Sequence, residues 1–206
     1  MPSITHFEIY KPAEPCNLTG EKLRQTIDKI VTDCLSEDAR ELNLKGYCVG
    51  YNGMTMITVD DRLSKVKRLN LGGNRIGDLG AKLLSEASLF SKVSWLELGG
   101  NDIGPIGIRA IATSQVLAKV KTLNLYRNKI KDEGAIIFAG QNRLAKIEEL
   151  DLAQNEIGDP GLMAMACSKA FPNLVAAYLD NNFTSVEAKN EARRGSNFNK
   201  LQSLNL

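Results

Sequence analysis

Residues 69–80 read LNLGGNRIGDLG. A short alternation of apolar and polar residues is followed by two adjacent glycines, and two further glycines come later, three residues apart. A strand that leads through a glycine-rich turn into a helix has two interpretations. The glycines cradle a phosphate, which would indicate a nucleotide-binding enzyme or switch, or they serve the fold. The rest of the chain decides between them, because this stretch recurs.

The recurrence has a fixed period. The pattern appears as VKRLNLGGNRIGDLG, VSWLELGGNDIGPIG, VKTLNLYRNKIKDEG and IEELDLAQNEIGDPG, and each copy starts 27 residues after the previous one. A constant period of this length is typical of a solenoid. We therefore predict an N-terminal strand–helix cap over residues 1–38 and a solenoid over residues 39–206. Its six full repeats start at residues 39, 66, 93, 120, 147 and 174, and a terminal strand follows at 201–206.

Each position of a repeat has a predicted role, counted from its first residue. Positions four and six, such as Leu69 and Leu71, are apolar and alternate along a strand, so they should face the core. Position nine should turn inward and satisfy backbone groups of neighbouring turns through its amide. It is asparagine in five consecutive repeats: Asn74, Asn101, Asn128, Asn155 and Asn182.

A helix should follow the turn. Aspartate recurs at position thirteen as Asp78, Asp132 and Asp159, where we expect each carboxylate to cap the helix that it precedes. Glycine recurs at position fifteen, where a side chain should crowd the neighbouring coil: Gly80, Gly107, Gly134 and Gly161. Gly72 and Gly73 are interpreted as not required by the fold, because Tyr126 and Arg127 replace them in a later repeat.

The pattern LxxLxLxxNxIxxxG followed by a helix resembles the leucine-rich repeat, and the 27-residue period looks like its ribonuclease-inhibitor-like subtype. The resemblance implies an α/β fold: a right-handed horseshoe solenoid with a parallel sheet on the concave face and helices on the convex face. The end repeats depart from the pattern at Tyr47, Ala177, Thr184 and Ala188. Atypical end repeats are expected, because they cap the core.

The first 38 residues lie outside the period. ITHFEIY (residues 4–10) alternates like a strand, and residues 18–35 carry apolar side chains at helical spacing. His6 is the one histidine, and we expect it at the surface or in the cap rather than as a metal ligand.

Composition limits the classes of partner and compartment. With 26 basic and 24 acidic residues the net charge is +2, so neither nucleic acid nor an anionic membrane is expected as a partner. No apolar run is long enough to cross a membrane, and no signal peptide is recognised. The four cysteines, Cys16, Cys34, Cys48 and Cys167, lack zinc-site spacing, so we expect reduced thiols and a cytoplasmic location.

Enzymatic interpretations are weak. A phosphate-binding loop needs Lys and Ser/Thr after its last glycine, whereas Asp78 follows Gly77 and would repel phosphate. Glu149 and Asp151 could form an acid–base pair, but they are predicted on an open sheet without a cleft. We predict no enzymatic activity and no cofactor or metal.

Positions three, five, seven and eight point away from the core, and there we predict a protein-binding patch. Exposed aromatic and charged side chains dominate protein interfaces. The predicted site comprises Trp95, Glu97, Tyr126, Arg127, Glu149, Asp151, Tyr178 and Asp180. The competing interpretation is that Trp95 lies flat over neighbouring strand side chains and binds nothing.

Position 27 forms a second candidate surface. It carries Lys65, Lys92, Lys119, Lys146 and Lys200. Favourable interaction with helix C-termini together with solubility explains such a column. The alternative is a basic rail for an acidic partner.

The sequence therefore predicts a non-catalytic protein–protein interaction module with an unidentified protein partner. Its alternatives are an effector of an intracellular bacterium that acts in host cytosol, a GTPase regulator that resembles Ran GTPase-activating proteins, and a fragment of a longer receptor. We expect a monomer, with edge-to-edge dimerisation through the last strand as the alternative.

Overall fold

The computed structural model describes residues 14–206. The predicted strand at residues 4–10 and His6 lie outside this range. None of the helices in the described part of the chain combines the length and the apolar character that crossing a bilayer requires.

Seven short strands form one parallel sheet in chain order. Neighbouring strands pair in the 27-residue register, so that Glu41 lies beside Arg68 and Arg68 beside Trp95. The strands are β1 (Glu41–Asn43), β2 (Arg68–Asn70), β3 (Trp95–Glu97), β4 (Thr122–Asn124), β5 (Glu149–Asp151), β6 (Ala176–Tyr178) and β7 (Ser203–Asn205). This sheet confirms the predicted parallel α/β solenoid.

Helices alternate with the strands. They are α1 (Gly20–Cys34), α2 (Gly50–Ile57), α3 (Gly77–Glu86), α4 (Pro105–Ala112), α5 (Lys131–Gln141), α6 (Asp159–Ala166) and α7 (Val186–Ala192). Short 3₁₀ turns occur at Pro15–Asn17, Asp61–Leu63, Ser88–Phe90 and Phe198–Lys200.

One continuous core lies between sheet and helices. The position-four and position-six side chains Leu69 and Leu71 are fully buried, as predicted. At the N-terminal end, α1 buries its apolar stripe of Leu23, Ile27 and Val31 against this core. The first coil therefore has its apolar end covered.

The position-nine asparagines form a ladder between coils. The Nδ2 group of Asn101 donates to the Leu71 and Leu98 carbonyls, each at 2.9 Å, and its Oδ1 accepts from the Asn74 backbone N–H at 2.9 Å. Each fully buried amide thus links two coils. The ladder has one gap, because the buried Oδ1 of Asn155 has no partner within the described residues.

The capping prediction was wrong about which helix each aspartate caps. Asp132 lies in the first turn of α5, and its Oδ1 accepts from Gly158 N at 2.8 Å and from Gly161 N at 2.9 Å, at the start of α6 in the next coil. Asp78 does the same for Gly104 and Gly107 at the start of α4. The side chain points along the solenoid axis, so it reaches the free N–H groups of the neighbouring helix.

The position-fifteen glycines are required where predicted. A Cβ atom on Gly161 would lie 2.6 Å from the Asp132 carboxylate, and one on Gly107 would lie 2.6 Å from that of Asp78. At these two positions, only a residue without a side chain leaves room for the carboxylate that the coil before it supplies.

The interpretation of Gly73 needs correction. The φ angle is 70° at Gly73 and 66° at Gly100, and the equivalent Arg127 has 53°. This left-handed conformation favours glycine. The fold thus imposes a strained backbone at position eight, which Arg127 tolerates and glycine adopts without cost.

The expectation of four reduced thiols was also wrong. A disulfide joins Cys16 to Cys48, with Cα atoms 5.5 Å apart, and leaves Cys34 and Cys167 free. The two cysteines are 32 residues apart in sequence, and the turn before α1 brings them together. The bond ties the residues before α1 to the first coil.

We expect Asp132→Ala to lower the free energy of unfolding by about 1 kcal/mol, because two helix N–H groups lose their acceptor. Asp132→Asn keeps an acceptor oxygen and should retain most of the stability. Glu86→Ala is the control, since that carboxylate lies on α3 and forms an exposed ion pair with Lys82. Urea denaturation measures all three, and equal stability of Asp132→Ala and Glu86→Ala would contradict the cap.

Under denaturing, non-reducing conditions, two thiols rather than four should react with a thiol reagent. Replacing Cys16 and Cys48 by serine should lower the free energy of unfolding by about 2–4 kcal/mol, because the unfolded chain loses a constraint. Cys167→Ser removes an exposed free thiol and is the control. A count of four in protein purified without reductant would show that the bond does not form.

Candidate protein-binding face

The side of the sheet that faces away from the helices, here called the open face, carries the position-three and position-five side chains of β1–β7. These side chains alternate with the buried leucines, so they are half-buried or exposed. All eight predicted site residues lie on this face or directly after its strands.

Position five has a structural task that the sequence analysis missed. Its side chain accepts a hydrogen bond from the backbone N–H two residues on, where the strand ends. Asn70 Oδ1 accepts from Gly72 N at 3.0 Å, Glu97 Oε1 from Gly99 N at 2.6 Å, and Asp151 Oδ1 from Ala153 N at 2.9 Å. Five of the seven strands therefore end on an oxygen acceptor at this position, whereas β6 carries Tyr178 there. The repeated asparagines in the column were the signal that could have indicated it.

The turn hydrogen bond does not require the negative charges of Glu97 and Asp151, because the neutral amide of Asn70 accepts the same bond. Burial raises the pKa of the Asp151 carboxyl, and the negative charges of the nearby Asp180 and Glu149 raise it further. The hydrogen bond from the Ala153 N–H lowers this pKa but does not cancel the rise. Burial likewise raises the pKa of Glu97, and the charge of Asp151 raises it further. The hydrogen bond from the Gly99 N–H and the charge of Lys45 lower it by less. Both shifts show that the free protein disfavours charge here.

We call Glu97, Glu149, Asp151 and Asp180 the acidic patch. Within residues 14–206, none of the four forms an ion pair with a basic side chain. Asp180 accepts hydrogen bonds from two side-chain amides, from Asn205 Nδ2 at 3.2 Å and from Asn181 Nδ2 at 2.6 Å. A cationic group placed over this patch would meet uncompensated negative charge.

Trp95 is not a free anchor. It is half-buried, and the guanidinium of Arg68 lies over its ring at 4.5 Å from the centroid. Arg68 in turn lies 3.4 Å from the Glu41 carboxylate. A row of position-three side chains thus crosses β1–β3, which agrees in part with the interpretation that Trp95 packs on its neighbours.

Tyr126 and Tyr178 lie beside the acidic patch. Tyr178 on β6 pairs in register with Asp151 on β5. Tyr126 follows β4 and is 38% exposed, and its carbonyl accepts from Gly100 N at 2.8 Å, which fixes the backbone at the rim. Arg127 is exposed beside it.

The structure thus brings most of the predicted residues into one band. Tyr126, Arg127, Glu97, Asp151, Tyr178 and Asp180 lie at the ends of β3–β6, where the strands leave the sheet. Trp95 and Glu149 lie at the starts of β3 and β5, and β4 separates them. Whether the band binds a partner stays a prediction.

Among the described residues, one group places three potential metal-ligand atoms within 4.8 Å of one another: Glu14, Cys16 and Cys48. The disulfide consumes both thiolates, so this donor set does not fit a metal ion.

Comparison with known proteins gives a family match over part of the chain. Residues 62–85, 95–112, 116–139 and 143–166 match a family model described as a leucine-rich repeat. No curated protein matches the chain. Among solved structures, an internalin (inlF) of Listeria monocytogenes is similar at 21% identity and a TM-score of 0.47, with 71% of this chain and 36% of that chain covered. The chain thus spans about a third of that internalin.

We expect the double variant Glu97→Gln and Asp151→Asn to be at least as stable as the wild type at pH 7.5. The amide oxygens keep the turn hydrogen bonds, and the disfavoured charges are gone. In the wild type, both pKa values are raised by folding, so as pH falls the folded state binds these protons at a higher pH than the unfolded state does. The wild type should therefore gain stability relative to the variant as pH falls through the folded pKa values, and the gain should level off below the ordinary values of 4.5 and 3.8.

Chemical denaturation at several pH values between 7.5 and 3.5 tests this. The Ala double variant at the same positions lacks the acceptors and should be less stable throughout. If the Ala pair and the Gln/Asn pair were equally destabilised, this would contradict the idea that the turn hydrogen bonds stabilise the fold while the negative charges do not.

Proposed function

We propose that the chain, four stretches of which match a leucine-rich-repeat model, is a non-catalytic interaction module that binds a partner protein on the open face of its sheet. The observation that carries the proposal is the unpaired acidic patch beside Tyr126 and Tyr178. Rigid aromatic side chains next to charge are the usual anchors of protein interfaces.

The partner should present a basic surface. Bringing lysine or arginine side chains to Glu97 and Asp151 favours the ionised carboxylates, which the free protein disfavours through burial and mutual repulsion. The interaction should weaken as salt rises, because the patch is partly exposed to solvent.

We propose the ribonuclease-inhibitor-like subtype for the repeats. Its support is the constant 27-residue period together with a true α-helix in each full repeat, from α2 to α7. We propose a monomer, with the exposed edge of β7 as the alternative contact.

The compartment is a separate proposal. The sequence alone favoured the cytoplasm, or host cytosol for an effector, whereas a disulfide between Cys16 and Cys48 favours an oxidising compartment. We propose an oxidising compartment. Alkylation of the free thiols in intact source cells tests this. Four alkylated cysteines would contradict the oxidising compartment and support the cytoplasmic prediction.

The binding test starts with affinity capture from the native source, followed by measurement of Kd for the recovered partner. Tyr126→Ala should weaken binding by about tenfold or more, as truncation of an interface anchor does. Glu97→Gln with Asp151→Asn should weaken it comparably and flatten its salt dependence, although the fold is kept. Trp95→Ala should have the smaller effect, because Arg68 already covers the ring.

The matched control removes two charges elsewhere. Glu133→Gln with Glu187→Gln lies on α5 and α7, away from the open face, and should leave Kd unchanged. Equal Kd values for the wild type and the open-face variants would remove this face as the binding site.

A further inference from the structure

A row of exposed lysines follows the edge of the solenoid where the strands begin. We call Lys65, Lys92, Lys119 and Lys146 the lysine row; they come from four consecutive coils and are all exposed. Three residues of the acidic patch, Glu97, Asp151 and Asp180, lie at the opposite edge, where the strands end. The row is therefore a surface that the proposed function does not use.

The backbone presents each lysine in the same way. In every coil a tight turn precedes the strand, with Val93 N donating to Phe90 O at 3.0 Å and Val120 N to Leu117 O at 3.0 Å. The residues on either side of the turn, such as Phe90 and Val93, are fully buried. The lysine between them has to point outward, and parallel strands repeat it at about 4.8 Å.

Helix C-termini do not explain the row. Helix α3 ends at Glu86, six residues before Lys92, and α4 ends at Ala112, seven residues before Lys119. The field of a helix end fades within its last turn. No side-chain hydrogen bond from the row to a carbonyl is present in residues 14–206.

The row also lacks counter-charges. In the described part of the chain, no carboxylate lies within ion-pair distance of its four ammonium groups, whereas the neighbouring Lys121 pairs with Glu148 at 2.7 Å. Four like charges at this spacing repel one another, although water and salt weaken the repulsion. In the next coil, Asn173 replaces the lysine and fastens the turn by donating to Ala145 O at 2.8 Å.

We propose that the lysine row binds a sulfated polysaccharide lengthwise. Evenly spaced point charges over about 15 Å match a linear chain of repeated anionic groups better than the irregular carboxylates of a folded protein. The residues before the lysines are small: Ser64, Ser91, Ala118 and Ala145. The ring of Trp95, at the start of β3, is already stacked with the Arg68 guanidinium, so this edge offers little aromatic surface on which nucleic-acid bases could stack. The Cys16–Cys48 disulfide agrees with an oxidising compartment, outside the cell, where sulfated chains occur.

Heparin is the probe, and isothermal titration at 0.15 M salt is the measurement. Replacing all four row lysines by glutamine should raise Kd by about tenfold or more and make the dependence of log Kd on log salt shallower, because fewer counterions are released. A matched control replaces four exposed lysines outside the row: Lys22, Lys29, Lys82 and Lys169. It should change Kd by no more than about threefold. Circular dichroism confirms that both variants fold.

Three outcomes would overturn the proposal. Wild-type protein that does not bind heparin at this salt concentration has no such site. Equal losses in the row variant and the control variant indicate attraction by net charge alone. Tighter binding of single-stranded oligo-dT than of heparin of equal charge assigns the row to nucleic acid. None of these results depends on the acidic patch, so both proposals can fail separately.

Discussion

Hydrogen bonding between successive coils is the constraint on which the rest of the structure depends. A solenoid coil turns its backbone inward at the end of each strand, where water cannot reach the N–H and C=O groups. The position-nine amides satisfy those groups, as Asn101 does for Leu71, Leu98 and Asn74. The strands then stay in register, and side chains at the same position of each coil line up into columns. The acidic patch and the lysine row both follow from this alignment.

Periodicity predicted what repeats within one coil. Leu69, Leu71 and Asn101 could be assigned from spacing alone, because their roles depend on the strand period and on the need to satisfy buried backbone. The recipient of the Asp132 carboxylate could not be assigned, since it depends on which neighbouring coil the side chain reaches. The pairing of Cys16 with Cys48 depends likewise on how α1 and the residues before it dock.

The candidate site shows the same division. The alternation placed Glu97, Asp151 and Tyr178 on the open face, because strand side chains point to opposite sides in turn. It did not indicate that Glu97 and Asp151 also hold the turns at the strand ends, nor that Arg68 lies over Trp95. Those features arise between side chains of one column or turn, and a pattern of apolar residues carries no information about them.

The aspartate bridges make the array directional. Asp78, Asp132 and Asp159 each supply acceptors to the coil that follows, and within residues 14–206 none supplies them to the coil before. When one coil opens, the carboxylate of the coil before it meets water, whereas the N–H groups of the coil after it lose their acceptor. Each coil therefore depends on the coil before it, so removing one carboxylate should raise the local opening rate of the coil that follows more than that of the coil before.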